Sequence, residues 1–273
     1  MTETLVAGID SSTQSTKVLL VRADDGTVVD QASAPHPGGT EVDPEAWWEA
    51  LQIAGRGLLD RAAAIGVAGQ QHGMIALDRD GAVVRDALLW NDLRSAGQID
   101  EVVQHLGGAQ ASADTIGSVP PAAFTVTKLR WMHHHEPANA DRTAAVLLPH
   151  DWLTWRLGGR GHYTTDHGDA SGTGYYSPAD KHWLPEVAAW ALGRNQPPIL
   201  PRLAGPSEIV GRTTSGALLS AGTGDNAGAA LGLSLQPGDI VVSIGTSGTA
   251  FGISEKPIGD PTGTVSGFAD ASG

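Results

Sequence analysis

Cysteine is absent from the 273-residue chain. That excludes a disulfide framework, a thiolate nucleophile and a thiolate metal site, and it fits a cytoplasmic location. Basic residues are few: 17 Lys and Arg stand against 30 Asp and Glu, a net charge of −13. Such a chain repels polyanions, which argues against nucleic acid or an anionic membrane as partner. No apolar run approaches the roughly 18 residues of a spanning helix, and Met1-Thr-Glu-Thr-Leu-Val-Ala-Gly8 lacks the basic start and apolar stretch of a signal peptide. The G-x-x-x-x-G-K-[ST] loop is missing too, which disfavours the P-loop fold. These absences leave a soluble, unexported chain directed at a small ligand, one large domain or two modest ones at about 100–200 residues each.

The chain opens with Leu5 to Ile9 and Lys17 to Val21, two apolar, β-branched runs around a Ser/Thr-rich turn. A second turn, Asp24-Asp-Gly26, leads into Thr27-Val-Val29, so the pattern predicts a three-stranded meander. A helix follows, with Asp43 as its cap, Pro44 at its first position, and Trp47, Leu51, Ala54 and Leu58 at helical spacing. Ala64 to Ala68 reads as a buried strand, and Ile75 to Val84 as a hairpin around Asp80-Gly81. Helices are expected over Leu93–Leu106, Thr125–His135 and His150–Arg156, with a strand at Ala144–Leu148. Gly158–Tyr176, dominated by Gly, Ser, Thr and Asp, and the Pro-rich stretch 197–206 read as surface loops. Strands first, then alternating helices and strands, give an α/β layered fold. A mixed sheet flanked by helices suits a ribonuclease-H-like, actin-like ATPase core, by analogy.

Four clusters carry chemistry. Gly222-Thr-Gly-Asp-Asn226 opens an Ala/Gly-rich helix with a carboxylate, a base for an alcohol, although a helix N-cap is the plainer role for Asp225. A base at a helix start is expected to keep a low pKa. Asp10, followed by Ser11-Ser-Thr-Gln-Ser-Thr-Lys17, can order Mg²⁺-bound water and donate to phosphate oxygens, or form a merely solvated turn. Ser243-Ile-Gly-Thr-Ser-Gly248 repeats that arrangement between Ile240-Val-Val242 and Ala250–Ile253, so two turns could grip a triphosphate; an ordinary hairpin is the alternative. Gly69-Gln-Gln-His-Gly73 ends a predicted strand, where open α/β sheets bind ligands, and its glycines allow close approach to Gln71 and His72. Trp90, Asn91 and Asp92, with Arg94, could line a sugar pocket or simply start a helix. His133-His-His135 has no second ligand set at metal spacing and reads as a solvated helix end.

Taken together these residues resemble the FGGY carbohydrate kinases, most closely their xylulokinase branch. The likeness runs through Gly8-Ile-Asp10, Asp43-Pro-Glu-Ala-Trp-Trp48, Gly69-Gln-Gln-His-Gly73 and Leu88-Leu-Trp-Asn-Asp92. It continues through Thr115-Ile-Gly-Ser118 with Phe124-Thr125, Leu148-Pro-His-Asp-Trp152, Asp169-Ala-Ser-Gly-Thr173, Gly224-Asp-Asn226 and Ser243–Gly248. The resemblance implies ATP-dependent phosphorylation of D-xylulose at its 5-hydroxyl. Asp225 would be the base, and Gln71, His72, Trp90, Asn91, Asp92 and Asn226 would hold the sugar. Asp10 would position Mg²⁺ through water. Ser12, Thr13, Gln14, Ser15, Lys17, Gly245, Thr246 and Ser247 would contact the ATP phosphates. The partners implied are the sugar and ATP; a homodimer stays open.

Ser12 stands where the family usually has glycine, and the 45–70 region and Gly211–Asp225 are shorter than the family norm, the latter in the sheet that would carry the base. Family members are nearly twice as long. Residues 1–236 are therefore expected to be the sugar-binding N-terminal domain and 237–273 the start of the nucleotide-binding domain, ATP lying between the two. A truncated hairpin there is expected to leave Phe251 and Phe268 unburied. The alternatives are a kinase for another ketose or polyol, such as ribulose, glycerol or gluconate, and a non-catalytic sugar-binding module.

Overall fold

Alternating apolar residues in the opening strands build one edge of a mixed sheet. The structure, a computed structural model, describes residues 3–244 and 248–272. Leu5–Ser11, Ser15–Arg22 and Val28–Pro35 form the expected antiparallel meander. Ala64–Gly69 then adds parallel to the first strand, pairing Asp10 with Ala68 and Ser11 with Gly69. The seven-stranded sheet runs Ile209–Arg212, Leu218–Ser220, Ala64–Gly69, Leu5–Ser11, Ser15–Arg22, Val28–Pro35, with Thr223–Gly224 also on Ala64–Gly69. Three antiparallel strands followed by a parallel extension agree with the core expected from the sequence.

Pro44–Ala54 is the predicted helix, with Asp43 Oδ1 accepting the Glu45 amide at 2.9 Å. Leu58 lies beyond its end, in a turn that leads to the short 3₁₀ segment Leu59–Arg61. The helix buries Trp47 completely, together with Leu51 and Ala54, against Val18, Leu20 and Trp152 in one apolar core. Burying a side chain of that size stabilises by roughly 2–3 kcal/mol. A second core surrounds Thr125–His135, where Val126, Leu129 and Met132 meet Phe124, Tyr175 and Met74.

Two expectations change, and one is extended. Ile75–Leu77 pairs antiparallel with Ala145–Leu147, and residues 82–84 also fold back on it as the expected hairpin, with the Asp78 amide donating to Ala82 O and the Val84 amide to Ala76 O, both at 2.9 Å. The turn between them is real: Asp78 Oδ1 accepts the amides of Asp80 and Ala82, and Gly81 has φ +76°. Leu93–Leu106 divides into the 3₁₀ turn Arg94–Gln98 and the helix Ile99–His105. Most consequentially, residues 164–177 are not surface loops. Thr164, Thr165, Asp166, Asp169, Ser171, Thr173, Tyr175 and Tyr176 are buried, and the segment holds the short helix His167–Ala170. The polarity that suggests a loop is absorbed by an internal network instead.

Two short strands occupy the region where the sequence suggested a deletion. Leu218–Ser220 and Thr223–Gly224 run parallel along Ala64–Gly69, interrupted at Gly222, whose φ is +77°. Ile240–Ile244 and Gly248–Gly252 form a separate hairpin, with Ile240, Val242 and Ile244 exposed. Phe251 is partly buried. Phe268 corrects the expectation of exposure: residues 258–271 return to the body, and its ring packs 6.1 Å from Phe124 and 6.0 Å from His72. Among the described residues no helix is long and apolar enough to cross a membrane.

Candidate active site

The carboxyl ends of three neighbouring strands meet at one place. Asp10 and Thr223 flank Ala68 in register on either side, so Asp10 and the Gly224-Asp225 turn emerge from the same edge of the sheet. A cavity of about 550 Å³ opens there, lined among others by Asp10, Ser12, Asp166, Thr223, Asp225 and Asn226.

Asp225 begins the helix Asp225–Gly232, but Gly224 takes the capping position; Asp225 Oδ1 instead accepts the amide of Asn226 at 2.9 Å. The low pKa expected of a helix start does not hold. Burial, with the negative charge of Asp10 adding to it, raises the Asp225 carboxyl to about 6 against the pull of the Asn226 amide. Asp10 is raised too, chiefly by burial, with Lys17 drawing it back. Both carboxylates therefore face the cavity without a cationic hydrogen-bond partner among the described residues.

The hydroxyl-rich turn lies alongside. Ser12 donates to Ser15 O at 3.2 Å through its hydroxyl, and His36 bridges Thr16 Oγ1 (2.8 Å) and Ser12 O (3.0 Å), fixing the turn from behind. Gln14 and Lys17 are exposed, whereas Thr13 and Ser15 are partly buried. Thr13 Oγ1 accepts the Trp90 indole N–H at 2.9 Å, so the turn and the Trp90-Asn-Asp92 cluster are joined. Asn91 is partly buried with its Oδ1 unpaired. Asp92 is already engaged: it accepts from Thr40 Oγ1 (2.7 Å), from the Arg94 amide (3.0 Å) and from Arg94 Nε (2.8 Å). Burial opposes its charge, but those donors hold its carboxyl below the ordinary value.

Gln71 and His72 part company. Gln71 Oε1 accepts from Asn226 Nδ2 at 2.9 Å, which joins the Gly-Gln-Gln-His turn to the Asp225 helix. A side chain at Gly224 would come within 2.8 Å of Gln71, so glycine is required there for space. Neither Gln71 nor His72 is among the residues lining the cavity, and His72 is held elsewhere. Its backbone is left-handed at φ 65°, its ring stacks 5.1 Å from Phe124, and its Nδ1 lies 3.0 Å from Gly172 O. Burial, reinforced by the Lys128 charge, pushes its imidazole down to about 4, so it is neutral. Gly245, Thr246 and Ser247 lie outside the described residues.

Several polar residues here went unread in the sequence. Lys128 is fully buried, donates to His72 O at 2.7 Å, and is pushed down to about 7 by burial despite Asp92. A cation between the apolar positions Val126, Leu129 and Met132 of the helix Thr125–His135 was its signal. His150 is buried with Nε2 at 3.2–3.3 Å from Asp151, Asp166 and Asp169. Burial opposes its charge, but the three carboxylates outweigh it and hold the imidazole at about 10. Asp166-His-Gly-Asp169 inside a Gly/Ser/Thr-rich stretch was the available cue.

The donor set suits Mg²⁺ bound through water and phosphate rather than in a protein cage. Asp10 is a partly buried carboxylate on the cavity, and among the described residues no group of three or more His, Asp or Glu is placed to hold a metal ion directly.

Residues 5–232 match the family model described as the FGGY family of carbohydrate kinases, N-terminal domain. The chain is 50% identical to the xylulose kinase of Streptomyces coelicolor over 285 residues, covering 98% of this chain and 58% of that protein. It is 48% identical to the xylulose kinase of Streptomyces rubiginosus, again over 98% of this chain and 58% of the relative. The crystal structure of xylulose kinase from Bifidobacterium adolescentis superposes with a TM-score of 0.92 at 40% identity, covering 98% of this chain and 63% of that one. The chain thus spans about three fifths of the length of these relatives. A mixed sheet with a parallel extension, two carboxylates at its carboxyl edge and a match over most of the sequence lead to one conclusion: this chain belongs to the FGGY family of carbohydrate kinases, with the actin-like ATPase fold.

Proposed function

We propose that this chain is the sugar-binding, base-carrying part of a xylulose kinase that converts ATP and D-xylulose to ADP and D-xylulose 5-phosphate. The observation that carries the reading is the pairing of Asp10 and Asp225 on one cavity beside the hydroxyl-rich turn. Asp225 takes the proton of the 5-hydroxyl as that oxygen attacks the terminal phosphorus and the bond to ADP breaks. A carboxyl held at about 6 is ionised at neutral pH yet basic enough to accept that proton.

Gln71 and Asn226, tied to each other, orient the sugar, with Trp90 and Asn91 at its edge. Asp92 and His72 act indirectly, Asp92 by fixing Arg94 and Thr40, and His72 by shaping the turn. Ser12, Thr13, Gln14, Ser15 and Lys17, with Gly245, Thr246 and Ser247, contact the phosphates of ATP. Asp10 would hold Mg²⁺ through water, and the ion would supply charge neutralisation on the phosphates. In this reading residues 237–273 begin the nucleotide-binding domain, and closure of the two domains on the sugar excludes water.

A substrate panel tests the assignment. The full-length protein is supplied with ATP and D-xylulose, ribulose, glycerol or gluconate, and ADP release and the phosphorylated product are followed. The expected result is a kcat/KM for D-xylulose at least about tenfold above the others, the discrimination of a site built around specific hydroxyls. Equal or greater turnover of another acceptor ends the xylulose assignment, and no sugar-dependent turnover ends the kinase assignment.

A further inference from the structure

Behind the cavity wall, His150 touches both strands that deliver the site. Its backbone and Cβ lie where a side chain on Gly69 would fall, at 2.9 and 3.0 Å. Its Nδ1 lies 2.7 Å from where a Cβ on Gly222 would be. The imidazole is thus wedged between the end of Ala64–Gly69 and the interruption at Gly222, three residues before Asp225.

On its other side, Nε2 faces Asp166 Oδ1 at 3.3 Å. Asp166 Oδ2 accepts the Thr223 hydroxyl at 2.8 Å and the Gly168 amide at 3.0 Å, while its Oδ1 accepts the Asp169 amide at 3.0 Å. Thr223 is two residues ahead of Asp225 on the strand that ends at Gly224. Burial raises the Asp169 carboxyl well above its ordinary value and that of Asp151 to about 6; it opposes the charge on Asp166 too, but His150, the Asp169 amide and the Thr223 hydroxyl hold that carboxyl below its ordinary value, ionised and in place.

We infer that His150 is a positioning residue for Asp225, acting through Asp166 and Thr223 to fix the turn from which the carboxylate reaches the cavity. The inference rests on the reading of Asp225 as the base. His150 does not line the cavity and touches no reacting atom; its effect is to hold the angle of attack, which is felt in turnover rather than in ground-state binding.

The test is a double-mutant cycle in the full-length protein, with kcat and KM for D-xylulose measured separately. Thr223→Val keeps the shape and removes the donor; kcat is expected to fall about tenfold or more with KM changed less than about threefold, and Thr223→Ser to recover most of the loss. His150→Gln is expected to lower kcat comparably, and the double variant to be no slower than the slower single one, because both act through one connection. Normal kcat in Thr223→Val, a loss confined to KM, or losses that multiply in the double variant overturn the inference. Should His150→Gln fail to fold, the Thr223 pair decides alone. Asp225→Asn is assayed in parallel. If it is inactive while Thr223→Val is normal, only the positioning role falls; if it turns over normally, the base assignment falls and the positioning role with it.

Discussion

The side-chain amide of Asn226 donates to Gln71 Oε1 at 2.9 Å, across 155 positions of sequence. This one bond joins the turn after the strand Ala64–Gly69 to the helix that carries Asp225. Gln71→Leu keeps the bulk and removes the acceptor, leaving the Asn226 amide unpaired. The variant is expected to lose about 1 kcal/mol of stability and to raise the sugar dissociation constant several-fold. Denaturant titration and calorimetry with D-xylulose check the two effects.

The raised carboxyl of Asp225 sets a pH dependence of stability. Between the ordinary value of 3.8 and about 6 the folded chain holds a proton that the unfolded chain has lost, so stability falls as pH rises through that window and stays lower above it. Asp225→Asn lacks this cost. It is expected to exceed the wild type by about 3 kcal/mol at pH 7, with the difference vanishing toward pH 4. Parallel denaturation curves at the two pH values decide it. Turnover runs the other way, rising through about pH 6 as the carboxylate forms.

Gly222 is fixed by both conformation and space. Its φ is +77°, and a Cβ would lie 2.7 Å from His150 Nδ1 and from Val67 O. Gly222→Ala is expected to cost more than the roughly 1–2 kcal/mol of a left-handed residue alone, because the backbone oxygen cannot move aside. A fall in the midpoint of urea unfolding measures it, and an unchanged midpoint contradicts the packing described.

Lys128 gives a pH dependence of opposite sign to Asp225. Its ammonium is pushed from 10.5 to about 7, so between those values the unfolded chain holds a proton that the folded chain lacks. Wild-type stability relative to Lys128→Met should therefore rise from pH 7 toward pH 10. A stability difference that stays flat over that range would mean the amine is solvated.

The meander, the helix at Pro44 and the glycine-bounded motifs were legible because each has a local cause: alternation, a cap, a turn. Asp10 and the Gly-Gln-Gln-His turn could be placed at strand ends because strands 5–11 and 64–69 advertise themselves. What stayed hidden depends on distant partners. Asp166 and Asp169 sit in a stretch whose composition reads as loop, and their burial depends on partners the local sequence does not show: His150, 16 and 19 residues earlier, and for Asp166 the Thr223 hydroxyl, 57 residues later. Asp92 looked like a free sugar ligand because nothing local shows that Thr40 closes on it from 52 positions away. The pKa of Asp225 was misjudged for the same reason: the helix start is local, but the burial and Asp10 that outweigh it are not.

The most direct test of the account is phosphoryl transfer by Asp225→Asn in the full-length protein, with D-xylulose binding measured on the same sample. The account predicts sugar affinity within a few-fold of wild type and a rate lowered by at least about a hundredfold, the usual scale for losing a positioned base. A rate close to wild type, with the sugar bound normally, would contradict it.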